Sequence, residues 1–156
     1  MILTPLWLAL LARPIIPDPC TLIAKADIQT FIGEPVATTA KADPEKDDDT
    51  GGTITTCTFM GKTKAVFVTV VEFKSAAEAT KKITAQFITD KNEGSTVESE
   101  PGLGDRAWFG RSPNAAMIVT QKGARAVAVG IGGPGQDASK YRATLHKLIA
   151  GVAAKG

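Results

Sequence analysis

The stretch from Pro101 to Ile131 constrains the fold most, because it predicts three consecutive strands joined by two short turns. The apolar runs are 107–109, 115–120 and 124–131. Residues typical of turns, including Pro113 and Gly123, separate them. In the last run β-branched residues alternate with Ala and Gly, which places a core-filling face opposite a small-residue face. The pattern predicts a meander that helices cover on at least one side.

The rest of the chain predicts two more strands and three helices. The predicted strands are 52–60 and 64–73, and the predicted helices are 20–32, 75–92 and 137–152. Segment 64–73 is apolar on both faces, which indicates a central strand. Segment 37–52 is polar and acidic, which is typical of a surface loop. The resulting order, α-β-β-α-β-β-β-α, predicts an α+β fold with a largely antiparallel five-stranded sheet covered by helices.

The length of the chain predicts one domain, and its net charge argues against a nucleic-acid partner. A chain of 156 residues is long enough for a single core, which we place at 18–154. The net charge is +2 with both signs spread along the chain, so no nucleic-acid partner is expected.

Segment 1–17 begins with an apolar run that has the length of a signal-peptide core. This apolar run is shorter than the roughly 20 apolar residues of a transmembrane helix, so no membrane span is expected. Membrane association without a span is possible. We interpret 1–17 as a signal-peptide remnant or a disordered N-terminal segment, and the alternative is an apolar segment that packs on the domain. An exported protein of the periplasm, cell envelope or extracellular space is expected.

The two cysteines, Cys20 and Cys57, are predicted to form a disulfide. Cys20 opens the first predicted helix and Cys57 lies in the first predicted strand, so the bond would tie that helix to the sheet. It would also close the acidic loop between them. The alternative is two separate buried thiols that behave as small hydrophobic side chains.

Three further features of the sequence resemble functional sites, but they predict no cofactor, metal or catalytic group. Segment 130–135 matches G-x-G-x-x-G, but Pro134 lacks an N–H donor and no strand follows, so a strand-to-helix loop is favoured. In the acidic loop, Asp43, Glu45 and Asp47 have the alternate spacing of calcium ligands. The segment nevertheless lacks the glycine and the final glutamate that a calcium-binding loop requires. His146 is the only histidine, and we interpret it as a surface residue.

Asp105, Arg106 and Trp108 follow a Gly-rich turn and are the candidate ligand-binding residues. Arg106 would contact an anion and Trp108 would stack on a ligand at the mouth of a pocket. The favoured alternative places Trp108 in the core, Asp105 on backbone N–H groups of the turn and Arg106 in solvent.

Several short motifs in order resemble those of small secreted proteins and lipoproteins of the bacterial cell envelope that share a PsbP-like α/β sandwich. These motifs are Pro19-Cys20, Gly33-Glu34-Pro35, a second cysteine in the first strand, and Pro101-Gly-Leu-Gly-Asp105 before an aromatic strand. The resemblance covers roughly 18–152 and implies a PsbP-like sandwich, although the lipobox of the lipoproteins is missing. It implies no catalytic residues.

The sequence therefore predicts a non-enzymatic envelope protein that binds a protein partner or a small ligand on the sheet face or at its rim. The alternative is a structural or accessory subunit of an envelope assembly, and an enzyme is the third possibility because no acid–base or nucleophile constellation is apparent. If His146 lies within hydrogen-bond reach of a buried Asp or Glu at the base of a cleft, the non-enzymatic prediction is withdrawn.

Overall fold

The computed structural model describes residues 16–48, 51–133 and 138–153 and confirms the α+β class. The helices are α1 (Pro19–Leu22), α2 (Lys25–Ile32), α3 (Ala76–Asn92) and α4 (Arg142–Ala153), the last preceded by a 3₁₀ turn, Ala138–Tyr141. The strands are β1 (Thr38–Lys41), β2 (Glu45–Lys46), β3 (Thr53–Met60), β4 (Ala65–Glu72), β5 (Thr96–Ser99), β6 (Arg106–Ser112), β7 (Ala115–Lys122) and β8 (Arg125–Gly132). Among the described residues, no helix is long and apolar enough to cross a membrane.

The sheet is antiparallel and has eight strands in the order β1-β3-β4-β8-β7-β6-β5, with β2 also pairing with β3. The prediction of five strands in the order α-β-β-α-β-β-β-α was therefore wrong. The missed strands β1, β2 and β5 are two to four residues long and mostly exposed. They lie at the margins of the sheet, where no core imposes an alternating apolar pattern.

Two helix predictions also differ from the structure in their boundaries. The predicted helix 20–32 is two helices, because Ile23 and Ala24 are extended between them. The final helix begins at Arg142 after the 3₁₀ turn, and its predicted start at Asp137 lies outside the described residues. The predicted N-terminal segment, 1–17, lies outside them too, apart from Ile16 and Pro17.

The main core lies between one face of the sheet and helices α1, α2 and α4. Buried valines and isoleucines of β4, β7 and β8 meet Ile28 and Ile32 of α2 and Leu145 and Ile149 of α4. A smaller cluster on the opposite face packs Ala79 and Ile83 of α3 on the sheet. The predicted alternation in β8 is thus confirmed: Val127, Val129 and Ile131 fill the main core.

The predicted central strand 64–73 is confirmed, because β4 lies between β3 and β8. On the face away from the main core, the ring of Phe67 lies over Gly130 of the neighbouring strand. A β-carbon added to Gly130 would come within 2.5 Å of that ring. The small residue therefore makes room for an aromatic side chain of β4.

The Cys20–Cys57 disulfide is confirmed. The sulfur atoms are 2.07 Å apart and the Cα atoms 5.1 Å apart, within the usual range for a bridge. Cys57 is fully buried in β3, so the bond attaches α1 to the core face of the sheet. Asp18 caps α1 by accepting a hydrogen bond from Cys20 N–H at 2.9 Å. That bond and the ammonium of Lys41 hold the pKa of the Asp18 carboxyl below its usual value.

Glu34, in the Gly33-Glu34-Pro35 motif, holds the turn between β3 and β4. Its Oε1 accepts from the backbone N–H groups of Thr63 and Lys64, each at 2.9 Å, and its Oε2 accepts from the Thr63 hydroxyl at 3.0 Å. The Thr63 N–H is the main reason that the pKa of the Glu34 carboxyl is below its usual value. A β-carbon on Gly61 would clash with Glu34 Oε1, so a larger residue there would have to displace the carboxylate.

Replacing Gly61 with alanine should displace Glu34 from this turn and lower the thermal unfolding midpoint by a few degrees. The Glu34→Ala variant should show a loss of similar size for the same reason. Because both changes break the same hydrogen bonds, the double variant should be little worse than either single one. Calorimetry of the three variants tests this, and additive losses would contradict it.

Candidate functional site

A cluster of charged side chains lies at the rim of the sheet, where β5, the β5–β6 turn and α4 meet. Glu100, 8% exposed, is its centre. Its Oε2 accepts a hydrogen bond from Arg142 Nε at 2.7 Å, and its Oε1 accepts one from His146 Nδ1 at 2.6 Å. A buried carboxylate therefore joins two cationic or ionisable side chains of one helix.

The β5–β6 turn places Glu100 in this position. Its backbone N–H donates to Ala107 O at 2.9 Å, which continues the strand pairing, and Pro101-Gly102 then reverses the chain. Gly102 has φ 83°, a value that suits glycine at the third position of a turn with proline at the second. Leu103, 5% exposed, packs into the main core and anchors the turn.

Arg142, at the start of α4, connects the helix to β5 as well as to Glu100. It donates from Nη1 to Glu98 Oε2 at 2.5 Å and from Nη2 to the Ser99 carbonyl at 3.2 Å. Its guanidinium also lies 4.8 Å from the centre of the Phe109 ring, within the range of a cation–π contact. All three nitrogens of the guanidinium are therefore used in holding α4 against the sheet edge.

The environment favours the ionised form of Glu100. Burial raises the pKa of its carboxyl, but the hydrogen bonds from His146 and Arg142 outweigh burial and leave it below the usual value. The two glutamates correspondingly raise the pKa of Arg142, led by the hydrogen bond with Glu100. Since an ionised carboxylate only accepts, His146 Nδ1 carries a proton and donates it, which leaves Nε2 for other contacts.

This arrangement predicts that Glu100 stabilises the fold above acidic pH. Because its folded pKa is below its unfolded one, the contribution is complete above the unfolded value and is lost as pH falls through the folded pKa. The Glu100→Gln variant should therefore lose less stability between about pH 5 and pH 2 than the wild type does. Urea unfolding across that range measures the difference. Glu93→Gln, at an exposed position, is the control, and parallel curves for Glu100→Gln and wild type would contradict the prediction.

Two open clefts meet at Glu100. One has a volume of about 490 Å³ and is lined by Glu100, Lys140, Arg142, Ala143, His146 and Lys147. The other, about 370 Å³, follows the turn from Ser99 to Trp108. Acid–base chemistry and anion binding are both within reach of the first cleft, because His146, one-third exposed, and two lysines line it.

The predicted ligand-binding residues Asp105, Arg106 and Trp108 line the second cleft. Asp105 Oδ2 accepts from the backbone N–H of Gly123 at 2.7 Å, which ties two turns together. Arg106 is exposed, and Trp108 packs against the small cluster under α3. The structure brings the three residues to one cleft, with Asp105 and Trp108 also in structural contacts.

The other motifs do not converge on this rim. Gly130 and Gly132 of the G-x-G-x-x-G segment lie within β8, and residues 134–135 lie outside the described part of the chain. In the acidic loop, Glu45 pairs with Ile54 in the sheet and Asp47 N–H donates to Gly52 O. Within the described residues, no group of three or more His, Cys, Asp or Glu could hold a metal ion.

Sequence reasoning identified His146 only as a surface residue and missed Glu98, Glu100 and Arg142. The available signal was weak: an Arg and a His four residues apart lie on one helix face, and Glu98 and Glu100 lie two apart on an extended segment. Neither spacing indicates that the pairs meet across more than 40 residues of chain. The hydrogen bond between His146 and buried Glu100, at the base of a cleft, is the geometry on which the non-enzymatic prediction is withdrawn, so catalysis is a candidate function.

Comparisons with known proteins add no family to this description. No protein-family model matches the chain, and a search of curated proteins found no match.

Proposed function

We propose that this protein is an exported cell-envelope protein that binds a partner or small ligand at the rim of its sheet, in the cleft beside Glu100. The observation that carries the proposal is the Glu100–Arg142–His146 cluster. It fixes the base of an open cleft whose other wall, with Lys140 and Lys147, is exposed. Side chains held by a buried carboxylate are oriented before a ligand arrives, which lowers the entropic cost of binding.

Export is supported by the disulfide, because such bonds persist mainly in oxidising compartments. The protein recovered from its native host should be found outside the cytosol, with both cysteines oxidised and an N-terminal segment removed before Asp18. Cell fractionation followed by intact-mass analysis tests this. Recovery of the full-length chain from cytosol alone, with free thiols, would disprove export.

We also propose that the domain is a PsbP-like sandwich. The proposal is supported by an antiparallel sheet with α1, α2 and α4 on one face and α3 on the other. Superposition of a crystal structure of this protein on PsbP-like domains tests it, and a different strand connectivity would rule it out.

Binding at the rim is tested by titrating the ¹⁵N-labelled protein with a small-molecule extract of the native envelope. Shifted NMR signals should concentrate in segments 98–105 and 140–147. The His146→Gln and Lys147→Gln variants should reduce these shifts, whereas Lys81→Gln, an exposed lysine on α3, should not. Shifts that concentrate elsewhere, or that survive both rim substitutions, would refute the rim as the binding site.

Acid–base catalysis is the second candidate function, and the His146–Glu100 hydrogen bond is the observation that favours it. A carboxylate that holds one histidine nitrogen leaves the other to exchange protons with a substrate or a water molecule. Binding remains the first candidate because two exposed lysines also line the cleft, and its described lining has no serine, threonine or cysteine that His146 could activate as a nucleophile. An activity that His146→Gln abolishes while the fold is retained would establish catalysis. Equal turnover by wild type and variant would exclude His146 from it.

A further inference from the structure

The cleft between Glu100 and α4 carries a net charge of +1 when His146 is neutral, because Lys140, Arg142 and Lys147 face two carboxylates. Both carboxylates pair with Arg142, and Glu100 is also bonded to His146. In the described part of the chain, no carboxylate lies within 4.0 Å of the ammonium group of Lys140 or Lys147. Two exposed ammonium groups therefore remain beside the paired cluster.

The 3₁₀ turn and α4 together present these charges. Lys140, in the turn, lines the same cleft as Ala143 and Lys147, which are four residues apart on one face of α4. The small side chain of Ala143 lies between the lysines and leaves the cleft open. The ammonium nitrogen of Lys140 lies 5.3 Å from the centre of the Tyr141 ring, a cation–π contact that holds this side chain beside the cleft.

His146 adds a polar atom of fixed orientation to this surface. Its Nδ1–H donates to Glu100, so the ring cannot turn without breaking a hydrogen bond to a buried charge. The remaining nitrogen, Nε2, is the one available to a ligand in the cleft. It accepts a hydrogen bond from a hydroxyl when the ring is neutral and donates one to an anion when the ring is charged.

We infer that this cleft binds an oxyanion, the phosphate or carboxylate group of a small molecule, between Lys140, Lys147 and Nε2 of His146. The inference rests on the proposed function and names the chemical class of its ligand. Ammonium groups bind phosphate and carboxylate as point charges, and a third polar atom fixes the direction of approach. The turn-side cleft is the poorer candidate, because it contains only Arg106 as a cation and Asp105 faces it as an anion.

The test is an NMR titration of the full chain at constant ionic strength, once with inorganic phosphate and once with acetate. Saturable shifts should concentrate at residues 140–147, and whichever probe binds more tightly identifies the phosphate or carboxylate class. The Lys140→Gln/Lys147→Gln double variant should bind that probe about tenfold more weakly, since each exposed charge contact contributes a few-fold. Lys62→Gln/Lys81→Gln, which removes two exposed lysines elsewhere, is the matched control.

Equal affinity in wild type and in the rim double variant, or no saturable binding of either probe, would overturn the oxyanion inference. An equal loss in the control variant would overturn it as well, because it would indicate attraction by net charge alone. The envelope-extract titration remains independent of these outcomes. A neutral or cationic ligand would still shift the rim signals there, so failure of the oxyanion inference and failure of rim binding are distinguishable.

Discussion

Reduction of the Cys20–Cys57 disulfide should lower the free energy of unfolding by about 4 kcal/mol. The two residues are 37 apart in sequence, and opening a loop of that length restores conformational entropy to the unfolded chain. Against a typical total of about 5–15 kcal/mol, the loss is a quarter or more of the stability of the domain. Urea unfolding with and without reductant measures the effect.

The Cys20→Ala/Cys57→Ala variant is the control for this experiment. It should match the reduced wild type in stability and should not respond to reductant, because it has no bond to break. A wild-type protein whose unfolding midpoint is the same in both conditions would contradict the prediction. Such a result would also remove one of the observations that support export.

The Leu145→Ala substitution should destabilise the domain by about 3 kcal/mol. Leu145 is fully buried among side chains of the main core, so truncation leaves a cavity where α4 packs on the sheet. Thr144→Ala, at the adjacent exposed position of the same helix, should change stability by less than about 0.5 kcal/mol. Chemical denaturation of both variants provides the comparison.

The same substitution also tests whether the core supports the rim site. Arg142 and His146 lie on either side of Leu145 in α4, and both reach Glu100 only while that helix is seated. We therefore expect broadened NMR signals at 140–147 in Leu145→Ala under conditions where the domain is still folded. A destabilised variant with unchanged rim signals would show that the cluster holds α4 without help from the core.

The core of this fold was predictable because its pattern is local. Alternation in 124–131 identified the residues that face the core, and the continuous apolar run 64–73 identified the central strand. The edge strands were not predictable, because their residues show no such local pattern. Thr38–Lys41 is exposed at every position, so its only strand signal is its hydrogen bonding with β3.

The candidate site was hidden from sequence reasoning by distance along the chain. Glu100 and His146 are 46 residues apart, and nothing near either one indicates the other. The neighbours of His146 on the helix indicate a surface position, but they give no sign of the carboxylate that reaches it. By contrast, the disulfide was predictable, since a chain with two cysteines offers one pairing.

The pairing of β4 with β8 also has a consequence for the order in which the chain folds. All other neighbours among β3, β4, β6, β7 and β8 are joined by short turns, whereas Glu72 and Arg125 meet across 53 residues. Closing that loop costs more entropy than forming a hairpin, so we expect β3–β4 and β6–β7–β8 to form first as separate units. Pulse-labelling hydrogen exchange would then find amide protection within each unit before it appears across the β4–β8 pair. Simultaneous protection would instead indicate that the two halves of the sheet fold as one.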